Sequence, residues 1–444
     1  MGVGFTHPHL LSYTYTMWTK PWSYREGSAI ALGLIIVGLM LQYSVGPLEW
    51  KIFMWPANLI VLAVFVLFVI ATYALRKRVY AFRFMMSVEA AVPALAAAAL
   101  LTVIMGLTKQ VAEGKPAADP IGLSKMLNFW PFVLVYVWMT VIVGEVMLHQ
   151  LTHLNKKGIP SLISHVGLFL VLTTATLGSA DMQRTKMYCE QGKPEWRVLD
   201  ERQDVKELPL AIELNRFTID EYPPKLMVID DKGLPLPTKK PAHILIDKDF
   251  KGEKLLDWDI RIVKRIDHAV PAMMAKMVGN MPGEMVGRMR MDSLGQVMNK
   301  GGYISFEGKG AQCALLVRAT KGGKTTEGWV TCGSYQFPYQ GLELDKHHTI
   351  VMPNREPARF ASDVTIFTKE GEHIDATIEV NKPFAIAGWK VYQLSYNEQM
   401  GKWSNLSVFE LVRDPWLPAV YFGIYMILMG AVLMFIQAAT NKQN

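Results

Sequence analysis

The residues of this chain best suited to chemistry are few, and most stand at the edges of its apolar stretches. His165 lies about one turn inside one such stretch, where an ionisable side chain is costly and is usually kept for a purpose. A neutral imidazole there can ligate an iron, as in haem proteins, or bond to a neighbouring helix or headgroup. His149 and His153 are four residues apart and so share a helical face. A short hairpin centred near Lys157 puts His149 at about the depth of His165, where it could supply the far side of a haem. Beside lysines, the same pair also suits the water–lipid interface, and that is the reading the sequence favours. Glu145, one turn deeper, is placed to bond His149.

In the polar half, Met273, Met277, Met281, Met285 and Met289 form a stripe, with Met274, Met291 and Met298 beside it. Thioethers bind soft metals and also make adaptable apolar surfaces. Gly279, Pro282, Gly283 and Gly287 interrupt any long helix here, which favours packing or a docking surface over a metal-binding face. There are three cysteines. Gly322-Gly323 suits a two-residue hairpin turn that pairs Arg318 with Glu327, Leu316 with Trp329, and Cys313 with Cys332. That register predicts a Cys313–Cys332 disulfide, with two buried free thiols as the alternative. Cys189 is left over, and no CxxC or CxxCH occurs. The chain therefore offers neither a thioredoxin-like redox pair nor a covalent haem site of its own. Neither a nucleophile elbow nor a phosphate-binding loop is present.

The elements that must position these residues follow from hydropathy. Runs of roughly 18 or more apolar residues are long enough to cross a bilayer as helices. Six qualify: Ser28–Val45, Pro56–Leu75, Ala90–Leu107, Trp130–Leu148, Ile163–Ala180 and Trp416–Ala438. Between the fifth and sixth lie short alternating runs separated by Gly, Pro, Asn and Asp, such as Ala242–Ile246, Asp259–Ile266, Tyr303–Phe306, Val364–Phe367 and Ala376–Val380. These predict a mostly antiparallel β domain long enough to bury its own core. The expected fold is a six-helix transmembrane bundle with a large β domain inserted between helices five and six. In residues, that is a segment 1–27, five helices over 28–180, the β domain over 181–414, a last helix over 415–438 and a tail over 439–444.

Charge sets the expected orientation. Arg76, Lys77, Arg78 and Arg83 crowd one loop, and Lys156 and Lys157 another on the same side, while Lys20 and Arg25 precede the first span. Positive-inside bias then places both termini in the cytoplasm and the β domain outside it. Hydrophobic residues make up 51% of the chain, yet the mean hydropathy is only +0.17, because the chain also carries a large polar domain. The net charge of +7 forms no basic block, which argues against a nucleic-acid partner. The first apolar run is long and lacks a small-residue cleavage site, so it reads as a retained anchor.

Two stretches carry a resemblance to a known family. One is Ile163–Gly192, in which Ser164-His165-Val166-Gly167-Leu168 opens a span that leads to Glu190-Gln191-Gly192. The other is Ile378–Ile436, with Val380-Asn381-Lys382-Pro383, Gly388-Trp389-Lys390-Val391-Tyr392-Gln393, Tyr396, and Arg413-Asp414-Pro415 before the last span. In this order the motifs resemble the ResB/CcsB family, the membrane subunit of System II cytochrome c biogenesis. The resemblance covers the chain from Ile163 onward. Members commonly have three spans ahead of the domain where this chain has five, which leaves the first four helices without an assigned role.

The resemblance implies a multi-pass protein of the bacterial cytoplasmic (inner) membrane with a periplasmic domain. It implies haem b as transported substrate, with His165 as a transmembrane haem ligand and His149 a further candidate. The implied partners are a ResC/CcsA-type subunit carrying a tryptophan-rich "WWD" loop, apocytochrome c with CxxCH thiols, and membrane lipid. This chain has no such loop, so it would not be catalytic alone. A second reading, a membrane-anchored scaffold that recruits secreted partners without binding haem, stands beside the first. A transporter ranks last, since no pair of broken helices is evident.

Overall fold

A computed structural model describes residues 17–111, 115–272 and 302–441. The chain divides into two compact units, Met1–Gln183 with Val412–Asn444, and Arg184–Leu411.

The first unit is helical: α1 (Tyr24–Ser44), α2 (Ala57–Leu75), α3 (Tyr80–Met85), α4 (Val88–Leu107), α5 (Trp130–Thr152), α6 (Ile159–Gly178) and α7 (Leu417–Asn441). All but α3 are long and apolar enough to cross a membrane, and the chain is a membrane protein. Local chemistry marks their starts. Ser23 and Glu26 form a reciprocal capping box at α1, and Pro131 and Pro160 occupy the first turns of α5 and α6. Asp414 Oδ1 accepts from the backbone N–H groups of Trp416 and Leu417, each at 3.1 Å, which caps α7.

The helices overrun the apolar runs that announced them. Helix α5 continues to Thr152 and α6 begins at Ile159, because polar residues such as His149 keep helical hydrogen bonds where the apolar run has stopped. The short α3 was not expected. It forms in the arginine-rich loop, and its Phe84 is buried with Ala31, Ala90, Ala94, Trp138 and Ile142 between α1, α4 and α5. Pro93 does not break α4; it is buried where a Cβ on Gly27 of α1 would meet its ring at 2.8 Å.

The second unit opens with β1 (Gln183–Glu190), β2 (Pro194–Leu199), β3 (Val205–Glu221), β4 (Lys225–Ile229) and β5 (His243–Leu245). Next come β6 (Glu253–Leu255), β7 (Trp258–Pro271), β8 (Tyr303–Ser305), β9 (Gln312–Lys321) and β10 (Lys324–Thr331). It closes with β11 (Leu342–Asp345), β12 (His348–Val351), β13 (Pro357–Thr368), β14 (His373–Glu379), β15 (Phe384–Ile386), β16 (Trp389–Tyr396) and β17 (Leu406–Arg413).

Eight strands form one sheet in the order β14-β13-β3-β2-β1-β17-β16-β15. The strands through which the chain enters and leaves this unit, β1 and β17, are neighbours in it. The sheet curls on itself: Ser362 of β13 donates to Gln393 Oε1 of β16 at 2.6 Å and meets Ser407 Oγ of β17 at 2.7 Å, although those strands are not hydrogen-bonded neighbours. Its interior holds Met187, Ile212, Leu214, Ile366, Ile378, Trp389 and Phe409. The sheets β10-β9-β7-β6, with β8 on β7, and β11-β12-β4-β5 share a second core that includes Leu226, Val228, Ile260, Leu315, Val317 and Ile350. The unit is thus a large antiparallel β domain.

Candidate functional site

His165 sits in the second turn of α6, on a helix whose start is fixed by Pro160. Its Nδ1 lies 2.8 Å from the carbonyl oxygen of Ser161. A carbonyl only accepts, so Nδ1 carries a proton, and in the neutral imidazole Nε2 then keeps its lone pair. Ser161 Oγ stands 3.4 Å from the same Nδ1 and accepts from Gln150 Nε2 of α5 at 3.0 Å. Gln150, Ser161 and His165 therefore form one chain of contacts between α5 and α6. The half-buried ring has its orientation and tautomer set from behind, as a ligating imidazole requires. Two further acceptors nearby, Gln150 Oε1 and Ser164 Oγ, are buried without a hydrogen-bond partner.

Gly167, two residues on, has a packing role. A Cβ there would stand 2.6 Å from the Gly423 carbonyl oxygen of α7, and one on Gly430 would stand 2.2 Å from Ser164 Oγ and 2.6 Å from the Pro160 carbonyl oxygen. Glycines let α6 and α7 approach at backbone distance. Sequence reasoning missed this seam, although Gly423 and Gly430, seven residues apart on one face of α7, were its visible sign.

His149 is placed differently. It is exposed, its ring lies 4.4 Å from that of His153, and its carbonyl accepts from His153 Nδ1 at 3.1 Å. Among the described residues no hydrogen bond or ring contact joins it to His165. Glu145 does not bond His149 either: both of its carboxyl oxygens are buried and unpartnered. The groups that act on its side chain are instead Thr72 and Arg76, at the end of α2.

A second polar group missed from the sequence lies at the opposite end of α6. Asp181 accepts from the Trp55 backbone N–H at 2.7 Å, Asn58 Nδ2 at 2.6 Å and Trp416 Nε1 at 2.7 Å. The two tryptophans stand beside the ends of apolar helices, where interfacial aromatic residues are common. Their shared carboxylate joins segments far apart in sequence, which no local pattern reports.

In the β unit, the expected hairpin forms with the expected register, Glu327 opposite Arg318 and Trp329 opposite Leu316. Gly322 and Gly323 turn at φ 55° and 77°. The structure shows no Cys313–Cys332 bridge. Ladder pairing ends at Thr331 opposite Ala314, and Cys313 and Cys332 are free thiols buried in the apolar core of the paired sheets. Burial pushes the Cys313 thiol up to about 11 and raises Cys332 and Cys189 as well. All three are inert in this state. Met273, Met277, Met281 and Met285, with Met289 and their neighbours, lie outside the described residues.

The remaining motif residues serve the fold. Asn381 takes φ 65° in a two-residue turn between Glu379 and Lys382, a conformation asparagine tolerates better than most. Ala387 and Gly388, at φ 49° and 79°, make the turn between β15 and β16. Gln393 belongs to the buried polar bridge of the curled sheet, and Tyr396 stacks on Phe217 at 4.9 Å.

The class these features define is a membrane protein that carries a large antiparallel β domain and presents one oriented imidazole near a helix end. The model of the ResB-like family matches residues 277–406 and supports assignment of the chain to the ResB/CcsB family through part of its β domain. That family is associated with cytochrome c biogenesis. The match overlaps the second stretch of resemblance and does not reach the first, so His165 lies outside it. No curated protein matches the chain.

Proposed function

We propose that this protein is a subunit of a haem-transporting cytochrome c synthase, in which haem is the substrate and His165 holds its iron through Nε2. The observation that carries the reading is the commitment of His165 Nδ1 to the Ser161 carbonyl, which in the neutral imidazole leaves the other nitrogen its lone pair, on a half-buried residue of an apolar helix. Bound haem supplies the group to which the CxxCH thiols of apocytochrome c attach as thioethers. The chain's own part is to orient the ligand, exclude water and brace a WWD-type partner subunit that completes the site. Arginine and lysine placement supports an orientation with both termini in the cytoplasm and the β domain outside it, and the family resemblance implies a bacterial inner membrane with that domain periplasmic.

The test is the haem content of the complex purified with its WWD-type partner. His165→Ala removes the ligand and favours helix, so it should lower both haem content and cytochrome c maturation. His149→Ala should act more weakly, unless that histidine supplies the opposite axial bond. Wild-type haem content in His165→Ala refutes the assignment, and a wild-type complex without haem favours the scaffold reading instead.

A further inference from the structure

Glu145 lies two turns from the end of α5, and its side chain is 0% exposed. Neither carboxyl oxygen has a hydrogen-bond partner. Around it the packing is tight. A Cβ on the adjacent Gly144 would stand 2.8 Å from both Val69 of α2 and Phe169 of α6. Val69, Thr72, Tyr73 and Arg76 make one face of α2 at helical spacing, and Thr72 and Arg76 are the groups on that helix that act on Glu145.

Arg76 acts on it by charge alone, and the Thr72 hydroxyl, though close enough to act on the carboxyl, spends its own proton elsewhere. The Thr72 hydroxyl donates to the Val69 carbonyl at 2.9 Å. Arg76 Nη1 donates to the Tyr73 carbonyl at 2.6 Å, and its guanidinium stacks 3.6 Å from the Tyr73 ring centroid. At this level α6 presents Phe169, and α1 and α4 pack the other side of α5 through Ala31, Ala90 and Ala94 around Trp138 and Ile142. The next titratable group on α5 itself is His149, which is exposed and turned to His153. A bare carboxylate sealed among apolar helices, with its one cation held elsewhere, is among the most expensive arrangements a protein can adopt, whereas the acid form costs far less.

We propose that Glu145 is a proton-binding site between α2 and α5. It stands there as the neutral carboxylic acid while Arg76 is tied to Tyr73. Releasing its proton to solvent requires Arg76 to leave the Tyr73 carbonyl and donate to the new carboxylate. The site is then a two-position contact, with the guanidinium on Tyr73 when the proton is bound and on Glu145 when it is gone. This inference does not depend on haem binding at His165, and its test makes no use of haem.

Infrared spectroscopy of the full-length protein in lipid nanodiscs reads the proton directly. Wild type minus E145Q should show the carbonyl band of a protonated carboxylic acid at neutral pH, shifted in heavy water. E145D should move that band rather than abolish it. Glutamate labelled with carbon-13 at the side-chain carboxyl should shift the wild-type band without any substitution, so the test survives a variant that fails to fold. R76Q, which removes the partner of the ionised form, should keep the band to higher pH than wild type. A wild-type spectrum without a labelled acid band overturns the proposal, and an R76Q titration identical to wild type overturns the role of Arg76.

Discussion

The helical unit and the β unit spend their polar groups in opposite ways. In the β unit, polar residues are numerous and, Gln336 Oε1 apart, the buried side-chain atoms of its described residues are satisfied: Arg359 bonds Glu379 and Asp220, Ser362 bridges a curled sheet, and Asn381 turns a chain. In the helical unit they are scarce, and several buried atoms, on Glu145, Gln150 and Ser164, have no partner. Strands can pair every backbone and side-chain group within a sheet, whereas each polar side chain kept among apolar helices has to be maintained against its cost. The difference places fold-building polar chemistry in the β unit, and leaves unpaired polar atoms on α5 and α6.

The comparison breaks first, and with the largest effect, at the α6–α7 seam. Gly430→Leu drives a side chain into the Pro160 carbonyl and Ser164, so well-behaved protein should be lost on size-exclusion chromatography; Gly430→Ala should cost about 1–3 kcal/mol. Gly33→Ala, where nothing lies within 4 Å of the new Cβ, serves as the tolerant control.

Thiol chemistry probes the other unit. Burial raises the thiols of Cys189, Cys313 and Cys332 above the ordinary range and shields them, so alkylation of the folded protein should label none of them, and unfolding without reductant should expose all three. A single reactive thiol after unfolding would mean that Cys313 and Cys332 are bridged.

A smaller effect separates turn chemistry from site chemistry. Asn381→Ala should lose about 1 kcal/mol to left-handed strain, while Asn381→Gly should be tolerated. If Asn381→Gly folds yet abolishes cytochrome c maturation, this motif residue acts at a site and the contrast between the units fails.

The smallest effect is acid sensitivity. The hydrogen bonds from Arg359 and then Lys382 hold Glu379 down to about 2. A carboxylate lowered in the folded state adds stability at pH above its unfolded value and loses it as pH falls through the folded one. The thermal-midpoint advantage of wild type over E379Q should therefore be flat near neutrality and shrink toward pH about 2. Because the pair is solvent-exposed, high salt should reduce it throughout.

Much of this architecture was legible in the residues. Apolar runs announced six helices because bilayer thickness imposes a length, and the Gly322-Gly323 pair announced a register because a two-residue turn leaves no freedom in it. The turn at Asn381 and the cap at Asp414 are likewise built from neighbours in sequence. What escaped depends on partners distant in sequence. Asp181 gathers Trp55, Asn58 and Trp416, and Gly167 meets Gly423 only once α6 and α7 pack. His165 was visible as an anomaly in an apolar run, but its tautomer was not, since that follows from a hydrogen bond to Ser161 that only the folded helix displays. The expected bonding of Glu145 to His149 failed for a related reason: residues one turn apart share a face broadly, yet neighbouring helices decide where each side chain turns.

The central claim is that His165 acts as an iron ligand through Nε2, and replacing the ligand itself tests it most directly. His165→Ala complex, purified with the WWD-type partner, should show a reduced Soret band, and imidazole added to the growing cells should restore part of both that band and cytochrome c maturation. A free imidazole can replace a lost ligand but cannot repair a lost helix contact. A His165→Ala complex with an undiminished Soret band, or one whose loss imidazole leaves untouched, would contradict the account.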